Sequence, residues 1–147
     1  MTVLVRRAIP ADIDTLCALG KGEPAFSVSE KIRFYERKEL EERIADPESN
    51  LLLVLDDEDV ITGFLFCKIM SYHWAYLDNF YVRPGYRGHG QGKSLMQALL
   101  DLLREKKIVY LSTLVEEKDT FLAQYLGMSG FVSEKTYVWL ERFAGKE

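Results

Sequence analysis

The stretch RPGYRGHGQGKSLMQALLDLL, Arg83 to Leu103, sets Gly85, Gly88, Gly90 and Gly92 within eight residues and then runs directly into an apolar-periodic helix. Glycine has no Cβ, so it lets backbone N–H groups come close to a ligand and takes φ values that other residues avoid. A glycine-rich turn at a helix start gathers free N–H donors and the positive end of the helix dipole at one point. Phosphate oxygens are what such a point binds best, with Arg87 and Lys93 as flanking cations and Gly90 and Gly92 keeping side chains out of the anion's way. Two familiar phosphate loops do not fit. A Walker loop would end correctly on Gly92, Lys93 and Ser94, but the glycine it needs further upstream is replaced by Arg87. A dinucleotide fingerprint would need its third glycine where Lys93 or Leu95 stands.

The elements that must hold this loop can be read from periodicity and punctuation. Val3 to Ala8 reads as a strand, and PADIDTLCALG as a helix with Pro10 near its start and Gly20 as its stop. Ser27 to Asp46 reads as a second, exposed helix, with Ile32, Tyr35, Leu40 and Ile44 among many charges and Pro47 ending the pattern. Leu51 to Leu55 and Val60 to Met70 form an antiparallel hairpin across an acidic turn. Ala75 to Val82, aromatic and β-branched, delivers the chain to the glycine loop. After the loop, Leu95, Leu99, Leu102 and Leu103 mark the buried stripe of a helix, and Ile108 to Val115 is an apolar run suited to a buried strand. A β-loop-α-β unit over 75–115 requires parallel strands. A last helix over Lys118 to Met128 and two strands in GFVSEKTYVWLERF complete the order. The expectation is a single α/β (α+β) domain over 1–147, with a mixed, mostly antiparallel sheet of about 6–7 strands flanked by about 4 helices.

At Arg87-x-x-Gly90-x-Gly92, preceded by VRPGY and followed by an amphipathic helix, the chain resembles the GNAT superfamily of acyl-CoA-dependent N-acetyltransferases. VRRAIPADIDTL is similar to the family's first strand and helix, ITGFLF to its third strand, and Gly130-Phe131 to the start of its penultimate strand. The resemblance implies that the loop from Arg87 through Gly88, His89, Gly90, Gln91 and Gly92 to Lys93 wraps the pyrophosphate of coenzyme A. It also implies that the backbone of Phe80, Tyr81 and Val82 meets the pantetheine arm and the thioester carbonyl, where a bulge splays the fourth strand from the fifth. Acetyl-CoA is then the cosubstrate, no metal is called for, and the partner is an amine-bearing acceptor.

Acyl transfer makes further demands. An amine with an ordinary pKa of roughly 10.4 must lose a proton before it attacks, and Asp78, on the strand beside the acyl site, is the candidate to take that proton or to order the water that does. Equally, Asp78 fits a solvated strand face or a pair with a nearby cation. Family members often place a tyrosine four residues before the Gly-Phe pair to protonate the leaving thiolate. That position is Leu126, with Tyr125 one residue early, and on a helix one residue is a rotation of about 100°. Tyr125 is the candidate acid nonetheless, against the alternative of a packing aromatic. Asp119 stands where the family has an asparagine. Glu116 and Glu117 could attract a cationic acceptor or belong to a solvated loop, and Phe26 offers a pocket wall. If the proton-handling groups fail, a non-catalytic acyl-CoA-binding module remains.

Composition limits the rest. With 48% hydrophobic and 29% charged residues the chain can build its own core. A net charge of −4 gives no basic field for nucleic acid. Cys17 and Cys67 signal neither a disulfide framework nor a zinc site. MTVLVRRAIPAD carries charges where a signal peptide needs its apolar run, and no stretch is apolar for long enough to span a membrane. The expectation is a cytoplasmic protein without membrane or nucleic-acid partners. Family members are commonly dimers, so a homodimer is a further expectation that the residues themselves do not address.

Overall fold

The computed structural model describes residues 3–27 and 32–145. They form two compact units, Met1–Leu114 and Val115–Glu147. In the first, five strands run in spatial order β1 to β5: β1 (Val3–Arg7), β2 (Asn50–Asp57), β3 (Val60–Ser71), β4 (Trp74–Val82) and β5 (Tyr110–Thr113). Neighbours from β1 to β4 are antiparallel, and β5 is parallel to β4, as a crossover through a helix demands. Three helices belong to this unit: α1 (Ile13–Lys21), α2 (Arg37–Ala45) and α3 (Gln91–Glu105).

The sheet is covered on both faces, which is why β2 reads as the unbroken run LLLVL instead of alternating. Leu52 and Val54 join Phe64 and Phe66 of β3 in a core with Ile13 and Leu16 of α1 and Leu40 of α2. The alternate set, Leu51, Leu53, Leu55, Leu65 and Cys67, is as deeply buried and faces the other way, toward Leu95, Met96, Leu99 and Leu103 of α3. The β2–β3 turn places Glu58 and Asp59 at φ 50° and 70°, the left-handed pair that closes a tight hairpin. Arg6 ties the first strand down, reaching Asp12 at 2.8 Å and Asp56 at 2.9 Å.

Burial pushes the Cys67 thiol up to about 12 from an ordinary 9.0, with the Asp78 charge adding to the effect. The native chain thus keeps a proton that the unfolded chain releases, so this contribution to stability is intact below pH 9.0 and is lost as pH rises toward 12. Cys67→Ala is expected to flatten the fall of stability across that window by about 1.4 kcal/mol per pH unit, seen in urea midpoints measured against pH.

The second helix is shorter than expected. Instead of running from Ser27, α2 begins at Arg37, where Glu36 and Glu39 form a reciprocal cap; residues 28–31 lie outside the described chain, and Pro24–Phe26 is a single 3-10 turn. The reason is aromatic: non-helical backbone before Glu36 lets Phe34 bury against Phe26, Phe64 and Phe66 while Tyr35 meets Phe66 from beside it. Likewise α1 runs past Gly20 to Lys21, and Gly20 packs directly under the Phe34 ring.

In the second unit, α4 (Thr120–Met128) is capped by the Asp119 carboxylate, which accepts from Leu122 N at 3.1 Å. It ends at Gly130 (φ 97°), with Phe131 N donating back to Leu126 O at 3.1 Å. The two strands expected in GFVSEKTYVWLERF are not formed. Residues 131–145 have no regular structure, with Tyr137, Val138, Trp139 and Leu140 exposed. Among the described residues the sheet therefore has five strands and not the expected six or seven. An alternating pattern states which side chains would share a face, but a strand also needs a neighbour's backbone to pair with, and among the described residues this segment has none. No helix among them is long and apolar enough to cross a membrane.

Candidate functional site

The strand before the glycine loop carries a defect. Along β3 and β4 the register runs Gly63↔Val82, Phe64↔Tyr81, Leu65↔Phe80 and Phe66↔Asn79, then skips to Cys67↔Leu77. Asp78 is the extra residue of a β-bulge, a device that bends a strand and disrupts its ladder. On the other side, pairing with β5 ends at Leu77↔Thr113, where the Thr113 hydroxyl donates to the Leu77 carbonyl at 2.8 Å, while β4 continues to Val82. Beyond the bulge the two parallel strands no longer form a ladder.

The chain then enters a 3-10 turn at Pro84–Tyr86 and the glycine loop. Gly88 and Gly90 sit at φ 81° and 78°, conformations that side-chain-bearing residues resist, and each would point a Cβ into open space. Steric room is therefore not their purpose; backbone direction is. Gly90 caps α3, with Ser94 N bonded to its carbonyl at 3.1 Å, so the first amides of the helix have no intrahelical acceptor. Arg87 lies against the strand end: its Nε donates to Val82 O at 2.6 Å and its guanidinium covers the Tyr81 ring at 5.7 Å. The His89 ring stands 3.4 Å from Tyr86 O. Gln91 is buried and takes a hydrogen bond from the equally buried Thr62 hydroxyl at 2.8 Å, which ties the helix start to β3. Lys93 is exposed and, with Gly90, Ser94, Gln97, Ala98 and Asp101, lines an open groove of 440 Å³ along α3. The structure thus brings the residues from Phe80 to Lys93 together as one strand end, turn and helix start.

Asp78 is not solvated. Its carboxylate accepts from Arg43 Nη1 at 2.6 Å and Nη2 at 3.4 Å, and from the Tyr35 hydroxyl. Arg43 Nε donates to Asn50 Oδ1 at 2.7 Å, and the guanidinium lies over the Tyr35 and Phe66 rings. Only 12% of the Arg43 side chain and 11% of Asp78's remain accessible, so the pair is held away from bulk water. Burial and the adjacent Asp78 charge push the Tyr35 hydroxyl well above its ordinary pKa, while burial would lower Arg43 but Asp78 outweighs it and holds the guanidinium charged. Tyr125 lies on α4 in the second unit, where burial raises its hydroxyl pKa. Arg43, Asn50 and Thr62 went unrecognised in the sequence, and there Tyr35 reads only as one apolar position of the second helix. Arg43 is one charge among many in KELEERIAD, and nothing local distinguishes it. Asn79 carried a signal: it is a second polar residue beside Asp78 in an otherwise apolar, aromatic strand.

No curated protein sequence matches the chain. Among solved structures, it is similar to a PaiA N-acetyltransferase from Thermoplasma acidophilum in complex with coenzyme A, at 22% identity over 93% of this chain and 94% of that one, with a TM-score of 0.83. It is also similar to AAC(6')-Iy in complex with a CoA bisubstrate analogue, at 15% identity, 97% and 100% coverage and a TM-score of 0.79. A ribosomal-protein-alanine N-acetyltransferase from Brucella melitensis shares the fold at 16% identity, 97% and 100% coverage and a TM-score of 0.72. At these identities the likeness speaks for the fold alone. The model of the acetyltransferase (GNAT) family matches residues 21–127, most of the chain and the whole of the bulge, loop and α3, and the chain belongs to that family.

Proposed function

We propose that this protein transfers an acetyl group from acetyl-CoA to a primary amine by direct attack, as one cytoplasmic domain over 1–147. The observation that carries the reading is the junction at Asp78–Lys93: a strand whose pairing with its parallel neighbour ends at a bulge and which runs into a glycine turn at the N-terminus of α3. Arg87, Gly88, His89, Gly90, Gln91, Gly92 and Lys93 would hold the pyrophosphate, Gln91 through its backbone because its side chain is taken by Thr62. Phe80, Tyr81 and Val82 would present backbone to the pantetheine arm and meet the charge that grows on the thioester oxygen. As the amine nitrogen bonds to the carbonyl carbon, the C–S bond breaks, the amine loses a proton and the thiolate gains one.

Asp78, its carboxylate already engaged by Arg43 and Tyr35, would serve by fixing Tyr35 and ordering water. Tyr125 is the proposed acid for the thiolate. The engagement of Asp78 also supports a second reading, a non-catalytic acyl-CoA-binding module. Calorimetric titration with acetyl-CoA, beside thiol release on a panel of amines, separates the two: binding with turnover is expected, and binding without it leaves the module. Arg87→Glu is expected to weaken acetyl-CoA binding by about tenfold or more through lost charge-assisted bonds. Equal binding by the variant and the parent would remove Arg87 from the site.

A further inference from the structure

On β3 the core shared with α1 and α2 ends at Phe66, and beyond it the same face of the sheet is open. Lys68, two positions on from Phe66 and opposite Asn50, is exposed and forms no ion pair among the described residues. Its partner on β4 is Tyr76, whose partner on β5 is Ser112, so the three stand in one row. Trp74 and Tyr110 pair in the next row, about 7 Å away along the strands. They share the face: their rings are 6.3 Å apart, and Trp74 Nε1 donates to Ser112 Oγ at 2.8 Å. Tyr110 keeps 57% of its surface, and Trp74 and Tyr76 are partly exposed, so a ligand reaches these rings from solvent without moving the core. Tyr76 also lies near Asp78: burial and the Asp78 charge raise its hydroxyl pKa. A short ring-lined surface thus leads to the point where the β4–β5 ladder ends.

We infer that this surface, Lys68 with Tyr76, Trp74 and Tyr110, holds the body of the acceptor, and that the acceptor is an aromatic amine carrying a carboxylate, of which an aromatic amino acid is the simplest. This rests on the acetyl-transfer reading above. An amine placed at the end of the ladder, beside Asp78, lies within one arylalkyl group of Trp74 and Tyr110, whose rings favour a second ring. The carboxylate answers Lys68. A polycation meets the opposite: along β4 and β5 the one carboxylate is Asp78, which Arg43 already pairs, and Lys68 repels it.

The test compares L-phenylalanine, 2-phenylethylamine, L-alanine and tobramycin as acceptors by kcat/KM. L-phenylalanine is expected to lead, because 2-phenylethylamine lacks the carboxylate, L-alanine the ring and tobramycin both. Lys68→Met is expected to reduce the preference for L-phenylalanine over 2-phenylethylamine about fivefold. Tyr110→Ala is expected to reduce the preference for L-phenylalanine over L-alanine by about as much. Both side chains are exposed, so neither change should disturb the fold, and the KM for acetyl-CoA should stay within about twofold of the parent's. A variant whose preference stays within about twofold of the parent's, or whose acetyl-CoA KM shifts as much as its amine KM, overturns the assignment of that residue. A parent that prefers any of the other three, or that turns over only amines outside these four, overturns the acceptor class. Failure of the parent on every amine defeats the acetyl-transfer reading itself, and this inference with it.

Discussion

Asp78→Asn is expected to lower the unfolding free energy by about 3–5 kcal/mol, the cost of leaving one member of a buried ion pair uncompensated. Arg43 would keep its charge among Tyr35, Phe66 and Asn50, with less than an eighth of its side chain open to water and its carboxylate partner gone. For a chain of this size the melting temperature should fall by roughly 6 °C or more, measured by circular dichroism. The double variant Arg43→Met/Asp78→Leu, which removes both charges, should recover most of the loss, because two desolvated ions are often worth no more than well-packed apolar groups. A single-variant cost near zero would mean that the pair is not held as described. Turnover supplies a separate readout below the transition. If Asp78 orders Tyr35 and water for proton removal, both variants stay slow, although only one is unstable.

The second large effect is expected at Gly63. A Cβ there would lie 2.5 Å from Tyr81 O, 2.8 Å from Leu55 Cδ1 and 3.2 Å from Val82 Cα. The first of these is backbone, so a flexible side chain cannot simply yield, and β4 must move. Gly63→Ala should destabilise by about 1–3 kcal/mol, the usual cost of overpacking. Because Gly63 pairs with Val82, the displacement falls on the strand end to which Arg87 is bonded. Acetyl-CoA affinity should therefore fall along with stability, measured by calorimetry well below the melting temperature. A destabilised variant with unchanged affinity would show that the Tyr81–Val82 backbone does not contact the thioester arm. Glycine at 63 is thus a packing requirement, unlike Gly88 and Gly90, whose positive φ with open space around them concerns the direction of backbone amides.

Much of the fold is written in the sequence itself. Strand β3 and the β2–β3 turn declare themselves because an apolar run broken by DDED has few other solutions, and α3 because its stripe recurs at helical spacing. The glycine loop is local chemistry, so its spacing could be compared with other phosphate loops residue by residue. Segment ends were less legible: Ser27–Asp46 had the composition of a helix throughout, yet burial of Phe34 and Tyr35 against the sheet confines α2 to Arg37–Ala45.

The amino-acid order by itself determined what lies within a turn or two of chain: the glycine-rich anion turn, the amphipathic α3, the hairpin, and the parallel step from β4 to β5 that a helix crossover imposes. Only the tertiary structure decided the register. Skipping one residue at Asp78 ends the ladder to β5, turns Asn79 beside Phe66, and delivers Asp78 to an arginine 35 positions earlier in the chain. Register and long-range ion pairs depend on which backbones come to lie side by side, and that is settled by the packing of both faces of the sheet at once.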